Sequence, residues 1–162
     1  MRLTRREQLA ADPEAVYAVL TDAEFQEAKC AATTDGGGHT VAVTPTGVGH
    51  RVRTERQLPA AGLPEVAHSF VGDTLTVIET YDWGAAGPGG RREAVVDLHV
   101  KGAPLTLKGT LRLEPTGAGT TQVFDAELRA NVPFIGGRLE QAAAGPIGAG
   151  VDIELGLLRA RL

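Results

Sequence analysis

Between His39 and Val132 apolar and polar residues alternate with a period of two, and on either side of that stretch the apolar positions recur at helical spacing. The clearest run is Leu105 to Leu113, where Leu105, Leu107, Leu111 and Leu113 face Thr106, Lys108, Thr110 and Arg112. Thr40–Thr44, His50–Leu58, Thr74–Trp83, Arg91–Lys101 and Thr120–Val132 alternate in the same way. Met1–Ala10 reads as a further strand of mixed character. One apolar and one polar face per strand predicts an antiparallel sheet buried on one side and wet on the other.

The helical segments carry their own start signals. Asp12 is a good N-cap, Pro13 suits the first helical position and Glu14 favours the positive end of the dipole. Ala15, Val16, Val19 and Leu20 then follow at helical spacing, and Thr21-Asp22 opens a second short helix through Phe25 to about Ala31. Asp35-Gly36-Gly37-Gly38 ends it in a turn, Pro59–Pro64 must be irregular, and Gly84–Gly90 reads as a hairpin turn. A last helix is expected from about Arg138 to Arg161, kinked by Gly145-Pro146 or else beginning only after Gly150.

The order is one strand, two short helices, further strands and one long C-terminal helix, an α+β arrangement in which that helix must cover the dry face of the sheet. The order itself, the helix led by Asp12-Pro13-Glu14, and the approach to the last helix through Val132-Pro133 and Gly136-Gly137 resemble the START-like (SRPBCC) superfamily. That superfamily includes the polyketide-cyclase and Bet v 1-like lipid-binding proteins. The stretch ELRANVPFIGGRLE, Glu127 to Glu140, is similar to an uncharacterised bacterial family within it. The resemblance covers the whole chain and implies one helix-grip domain over residues 1–162: a curved antiparallel sheet of about six or seven strands wrapped on the terminal helix. It implies a cavity for a small hydrophobic molecule such as a lipid or polyketide, and brings no invariant catalytic motif.

Composition narrows the classes. A net charge of −4 gives no reason to expect nucleic acid, and the pairs Arg5–Arg6 and Arg91–Arg92 read as solvated charge rather than basic patches. One cysteine, Cys30, forbids an internal disulfide and reads as a small buried hydrophobe. His39, His50, His68 and His99 lack ligand spacing, Ser69 lacks a nucleophile-elbow setting, and Gly84–Gly90 lacks the lysine of a phosphate loop, so no metal, cofactor or catalytic residue is expected. No stretch is long and apolar enough for a membrane helix, and no leader is visible, so the expected address is cytoplasmic.

Polar residues that fall on apolar faces are the candidates for chemistry. Strand parity puts His50, Thr54 and Arg56 in line with Val52 and Leu58, and Glu79 in line with Leu75, Val77, Tyr81 and Trp83. On the last helix Glu154 lands among Leu139, Ala143, Ile147, Gly150, Leu157 and Leu158, while Arg138, Gln141, Asp152 and Arg159 fall opposite. A carboxylate facing a core is costly unless paired or neutral. The expected ligand-binding set is therefore Arg56, Glu79, Tyr81, Trp83, Leu98, Leu107, Phe124, Ile147 and Glu154. A one-residue register slip would instead turn the charged members to solvent, or Arg and Glu could pair for structure alone. Three functions stay open: a binder of a small hydrophobic molecule, a cyclase or isomerase with an inward carboxylate as base, and a protein-interaction domain without a cavity.

Overall fold

The computed structural model describes every residue except Gly62, which falls in the Pro59–Pro64 stretch expected to be irregular. Its seven strands are β1 (Arg2–Leu9), β2 (His39–Pro45), β3 (His50–Pro59), β4 (Thr74–Trp83), β5 (Arg92–Val100), β6 (Leu105–Thr116) and β7 (Gly119–Ala130). They form one curved sheet in the order β1-β7-β6-β5-β4-β3-β2, every neighbouring pair antiparallel. Strands β2 to β7 are a simple meander, and β1 pairs with the last of them. The two edges, β1 and β2, are joined in sequence by α1 (Pro13–Leu20) and α2 (Ala23–Thr33), which cross the concave side.

The side chains of Asp12 and Asp22 cap these two helices, accepting hydrogen bonds from the amides of Ala15 at 2.8 Å and Phe25 at 3.3 Å. Each cap satisfies an amide that the first turn leaves without a partner. Helix α2 presents Phe25, Gln26, Lys29 and Cys30 inward at helical spacing. The last helix, α4, runs unbroken from Gly136 to Arg161 with Pro146 inside it, so the alternative of a start after Gly150 is corrected. Val132 lies beyond the end of β7 rather than within it. A short helix absent from the expectation, α3 (Glu65–Val71), links β3 to β4; it has no side-chain cap and no fully buried residue.

Strand parity is as expected. Val52, Thr54 and Arg56 on β3, and Val77, Glu79, Tyr81 and Trp83 on β4, all point into the concave side. The convex side carries cross-strand ion pairs such as Arg51–Asp82 at 2.6 Å and Lys108–Asp97 at 3.1 Å. In β6, Gly109 lies against the backbone of β7, where an added Cβ would collide with the Asp125 carbonyl.

The concave side is filled unevenly. At one end Trp83, Ala94, Leu111 and Leu113 are packed solid beneath α1, with Val16, Tyr17 and Leu20 pressed onto them. Trp83 and Tyr17 meet edge to face with ring centroids 5.3 Å apart, and the Arg92 guanidinium lies 3.8 Å from the Tyr17 ring centroid. Arg92 is thus half-buried over an aromatic face and donates to the Gly84 carbonyl at 2.9 Å, which corrects its reading as solvated charge. Tyr17 also shares a 2.6 Å hydrogen bond with His50. At about 1.5–3 kcal/mol for each large apolar side chain removed from water, this end carries much of the fold's stability. The other end of the sheet is hollow.

Candidate functional site

The hollow is a cavity of about 570 Å³. Its sheet wall is built from inward residues of β3 to β7, among them Leu58, Val77, Leu98, Val100, Leu107 and Phe124. Leu139, Ala143, Ile147, Gly150 and Val151 of α4 form the opposite wall, and Ala67, Phe70 and Val71 of α3 close one side. Exposed or half-exposed lining residues (Asp35, Ala61, Pro104, Pro146 and Ala149) mark the rim. Glycine at 150 contributes to the space, since a Cβ there would meet nothing within 4 Å.

Along β4 the lining residues run Leu75, Val77, Glu79, Tyr81, so the polar groups sit where the hollow half meets the packed half. There four charged side chains from four elements form one chain of alternating sign. Arg56 on β3 reaches Glu79 on β4 at 2.8 Å. Glu79 reaches Lys29 on α2 at 2.6 Å, and Lys29 reaches Glu154 on α4 at 2.6 Å. None of the four side chains is more than 9% exposed. Arg56 also donates to the Thr33 hydroxyl at 2.9 Å, and the Lys29 ammonium lies 5.1 Å from the centre of the Tyr81 ring.

The electrostatics follow from the geometry. Burial alone would lower the Lys29 pKa, but the carboxylates of Glu154 and Glu79 outweigh it and hold the ammonium above its ordinary value. Burial likewise pushes Glu79 up, and the Lys29 and Arg56 cations overcome it, leaving the carboxyl below its ordinary value. Burial, then the Glu79 and Glu154 carboxylates, push the Tyr81 phenol well above its ordinary value. Lys29 is therefore held as an ammonium rather than a free amine, and Glu79 as a paired carboxylate.

Of the residues singled out from sequence, Arg56, Glu79, Tyr81, Leu98, Leu107, Phe124, Ile147 and Glu154 stand on the cavity wall. Arg56, Glu79 and Glu154 are brought into one cluster, joined through Lys29. Trp83 does not line the cavity; two residues beyond Tyr81 on β4, it is sealed under Tyr17. Lys29 was missed. Its signal was the spacing of Phe25, Gln26, Lys29 and Cys30, which marks a single inward face on α2. Gly145 and Gly150 make no close approach to the sheet, as a Cβ at either would meet only open space. Among the described residues no group of three or more His, Cys, Asp or Glu is placed to hold a metal ion, and no helix is long and apolar enough to cross a membrane.

A seven-stranded antiparallel sheet gripping a long C-terminal helix around such a cavity is the START-like fold, and the chain adopts it. It belongs to the DUF2505 family, described as a protein of unknown function, whose model matches residues 4–162. No curated protein matches the chain. Among solved structures it is similar to an aromatase/cyclase, Zhui, from Streptomyces sp. R1128, with a TM-score of 0.62, 15% identity, and coverage of 99% of this chain and 92% of that one. A STAR-related lipid transfer protein from Xanthomonas axonopodis gives a TM-score of 0.60 at 16% identity, over 98% of this chain and 84% of that one. A protein of Thermus thermophilus gives 0.61 at 18% identity, over 99% and 96%. At such identities the likeness is one of fold.

Proposed function

We propose that the protein binds a small, largely apolar molecule in the cavity between sheet and α4. The observation that carries this is the cavity itself: about 570 Å³ of mostly aliphatic and aromatic wall with its buried polar groups gathered at one end. That volume is within the range of small-molecule sites, in which a few polar groups orient an otherwise apolar ligand. A domain that served only as a protein-interaction surface would have no reason to keep its centre empty, since unfilled apolar volume costs stability. An enzyme using Glu79 as a general base is disfavoured, because a carboxylate paired with two cations and held below its ordinary pKa is a weak base.

The direct experiment is native mass spectrometry of protein purified from its own host, followed by solvent extraction, alongside titration with the neutral fluorophore Nile red. A stoichiometric adduct, or saturable Nile red binding abolished by Gly150→Leu, is the expected result. Leucine at 150 projects into the cavity and favours the helix, so the variant should remain folded. A clean protein mass together with Nile red binding that Gly150→Leu leaves intact would refute the proposal.

A further inference from the structure

The four buried charges comprise two cations, Lys29 and Arg56, and two anions, Glu79 and Glu154, so the polar end of the cavity is internally neutral. What remains unused there is mainly donor capacity. Lys29 has three N–H groups and spends two on Glu79 and Glu154. Arg56 donates to Thr33 and Glu79, and its Nε is sealed away from the cavity. Lys29 stands on the cavity wall, so its third N–H is a place for a ligand acceptor. An incoming carboxylate would bring a third negative charge to a cluster with no spare cation. It would give up its hydration with nothing to compensate for it. An uncharged oxygen can accept from the spare Lys29 N–H without upsetting the balance.

We infer that the charge-balanced cluster selects uncharged amphiphiles with a carbonyl, hydroxyl or ether oxygen at the buried end, and excludes carboxylate lipids. Glu154 is the specificity residue. It neutralises the half of Lys29 that would otherwise serve an anionic head group, and the bound molecule's oxygen lies against the remaining N–H of Lys29. This rests on the cavity being a binding site.

Decanol and sodium decanoate, which share a ten-carbon chain and differ in head group, are titrated against Nile red-loaded protein at pH 8. Decanol should displace the dye at least about tenfold more effectively. Any apolar pocket disfavours an anion, so the deciding comparison is Glu154→Gln, which leaves the cluster with one net positive charge. Decanoate should gain about tenfold or more on this variant while decanol changes little. Lys29→Met combined with Glu154→Gln restores neutrality and should restore the preference for the alcohol. Should Glu154→Gln fail to fold, Glu79→Gln also leaves one net positive charge, and decanoate should gain about tenfold on it. Equal displacement by the two ligands on the wild type, or no gain of decanoate on Glu154→Gln, overturns the inference while leaving the cavity as a binding site. Failure of Nile red to bind at all overturns both.

Discussion

Replacing Lys29 by methionine keeps the length and most of the volume of the side chain and removes its charge. Lys29 is the hinge of the buried cluster, the only cation within ion-pair reach of Glu154 among the described residues and one of two on Glu79. In the Lys29→Met variant Glu79 keeps Arg56, and Glu154 is left as a carboxylate with no counter-charge. Removing one partner of a buried ion pair costs about 3–5 kcal/mol, because the surviving charge stays desolvated. For a chain of this size that corresponds to a fall in Tm of roughly 6–20 °C. Lys29→Met together with Glu154→Gln discards the orphaned charge along with its partner. It should recover about 2 kcal/mol of the loss, within the usual coupling range for contacting residues. Urea unfolding followed by Trp83 fluorescence and far-ultraviolet circular dichroism measures both, and also the Glu154→Gln single variant that completes the cycle. A loss below about 1 kcal/mol for Lys29→Met, or effects that add within about 0.5 kcal/mol, would show that the four charges are not one desolvated unit.

Three further outcomes are expected. Because the Glu79 pKa is lowered from 4.5, its stabilisation is present above that pH and fades as pH falls below it; Lys29, raised from 10.5, contributes fully below that pH and loses its contribution above. The stability gap between wild type and Glu79→Gln should thus close on acidification below 4.5, and a gap unchanged from neutral pH to about pH 3 would contradict the pairing. Both tyrosines are raised from 10.0, Tyr17 by burial against the opposing pull of Arg92 and Tyr81 by burial and two carboxylates. Absorbance titration at the phenolate band should show no transition at pH 10 in the native protein and both phenols ionising there once it is unfolded; a native midpoint at 10 rejects the burial argument. Gly145 sits exposed inside α4, where an added Cβ meets nothing within 4 Å, so Gly145→Ala should stabilise by up to about 1 kcal/mol in a thermal melt; a loss of stability would mean that the helix needs its flexibility there.

Much of the sheet was legible because alternation is a strong signal wherever one face is wet. Glu79 and Arg56 could be placed inward by counting in twos from Val77 and Val52, and Glu154 by counting around a helix. What parity cannot give is the position along a strand. Trp83 was correctly assigned to the inner face, but whether that point is hollow or filled depends on Tyr17, which arrives from a helix far away in sequence. Lys29 was hidden because a short helix with few apolar residues shows its inward face only faintly, and a lysine there reads as solvated until two carboxylates are seen beside it. Helix α3 lacks both a side-chain cap and a buried residue, which are the two marks by which a seven-residue helix can be read. The persistence of α4 through Gly145-Pro146 also runs against local propensity, and tertiary packing at both ends of the helix, by Leu139 and by Leu155 and Leu158, overrides it.

The unequal filling of the concave side gives its two ends different freedoms. Beneath α1, a change at Trp83, Leu111 or Leu113 alters the packing that holds the strands to the helices, and most changes there cost the fold. Around the cavity a change at Leu98, Ala143, Ile147 or Gly150 mainly reshapes empty space. Such a protein can drift toward new contents while its stability stays stored elsewhere, which loosens the usual conflict between acquiring an activity and remaining folded. The charged cluster stands on the boundary between the two regions, the one place where a single substitution touches both.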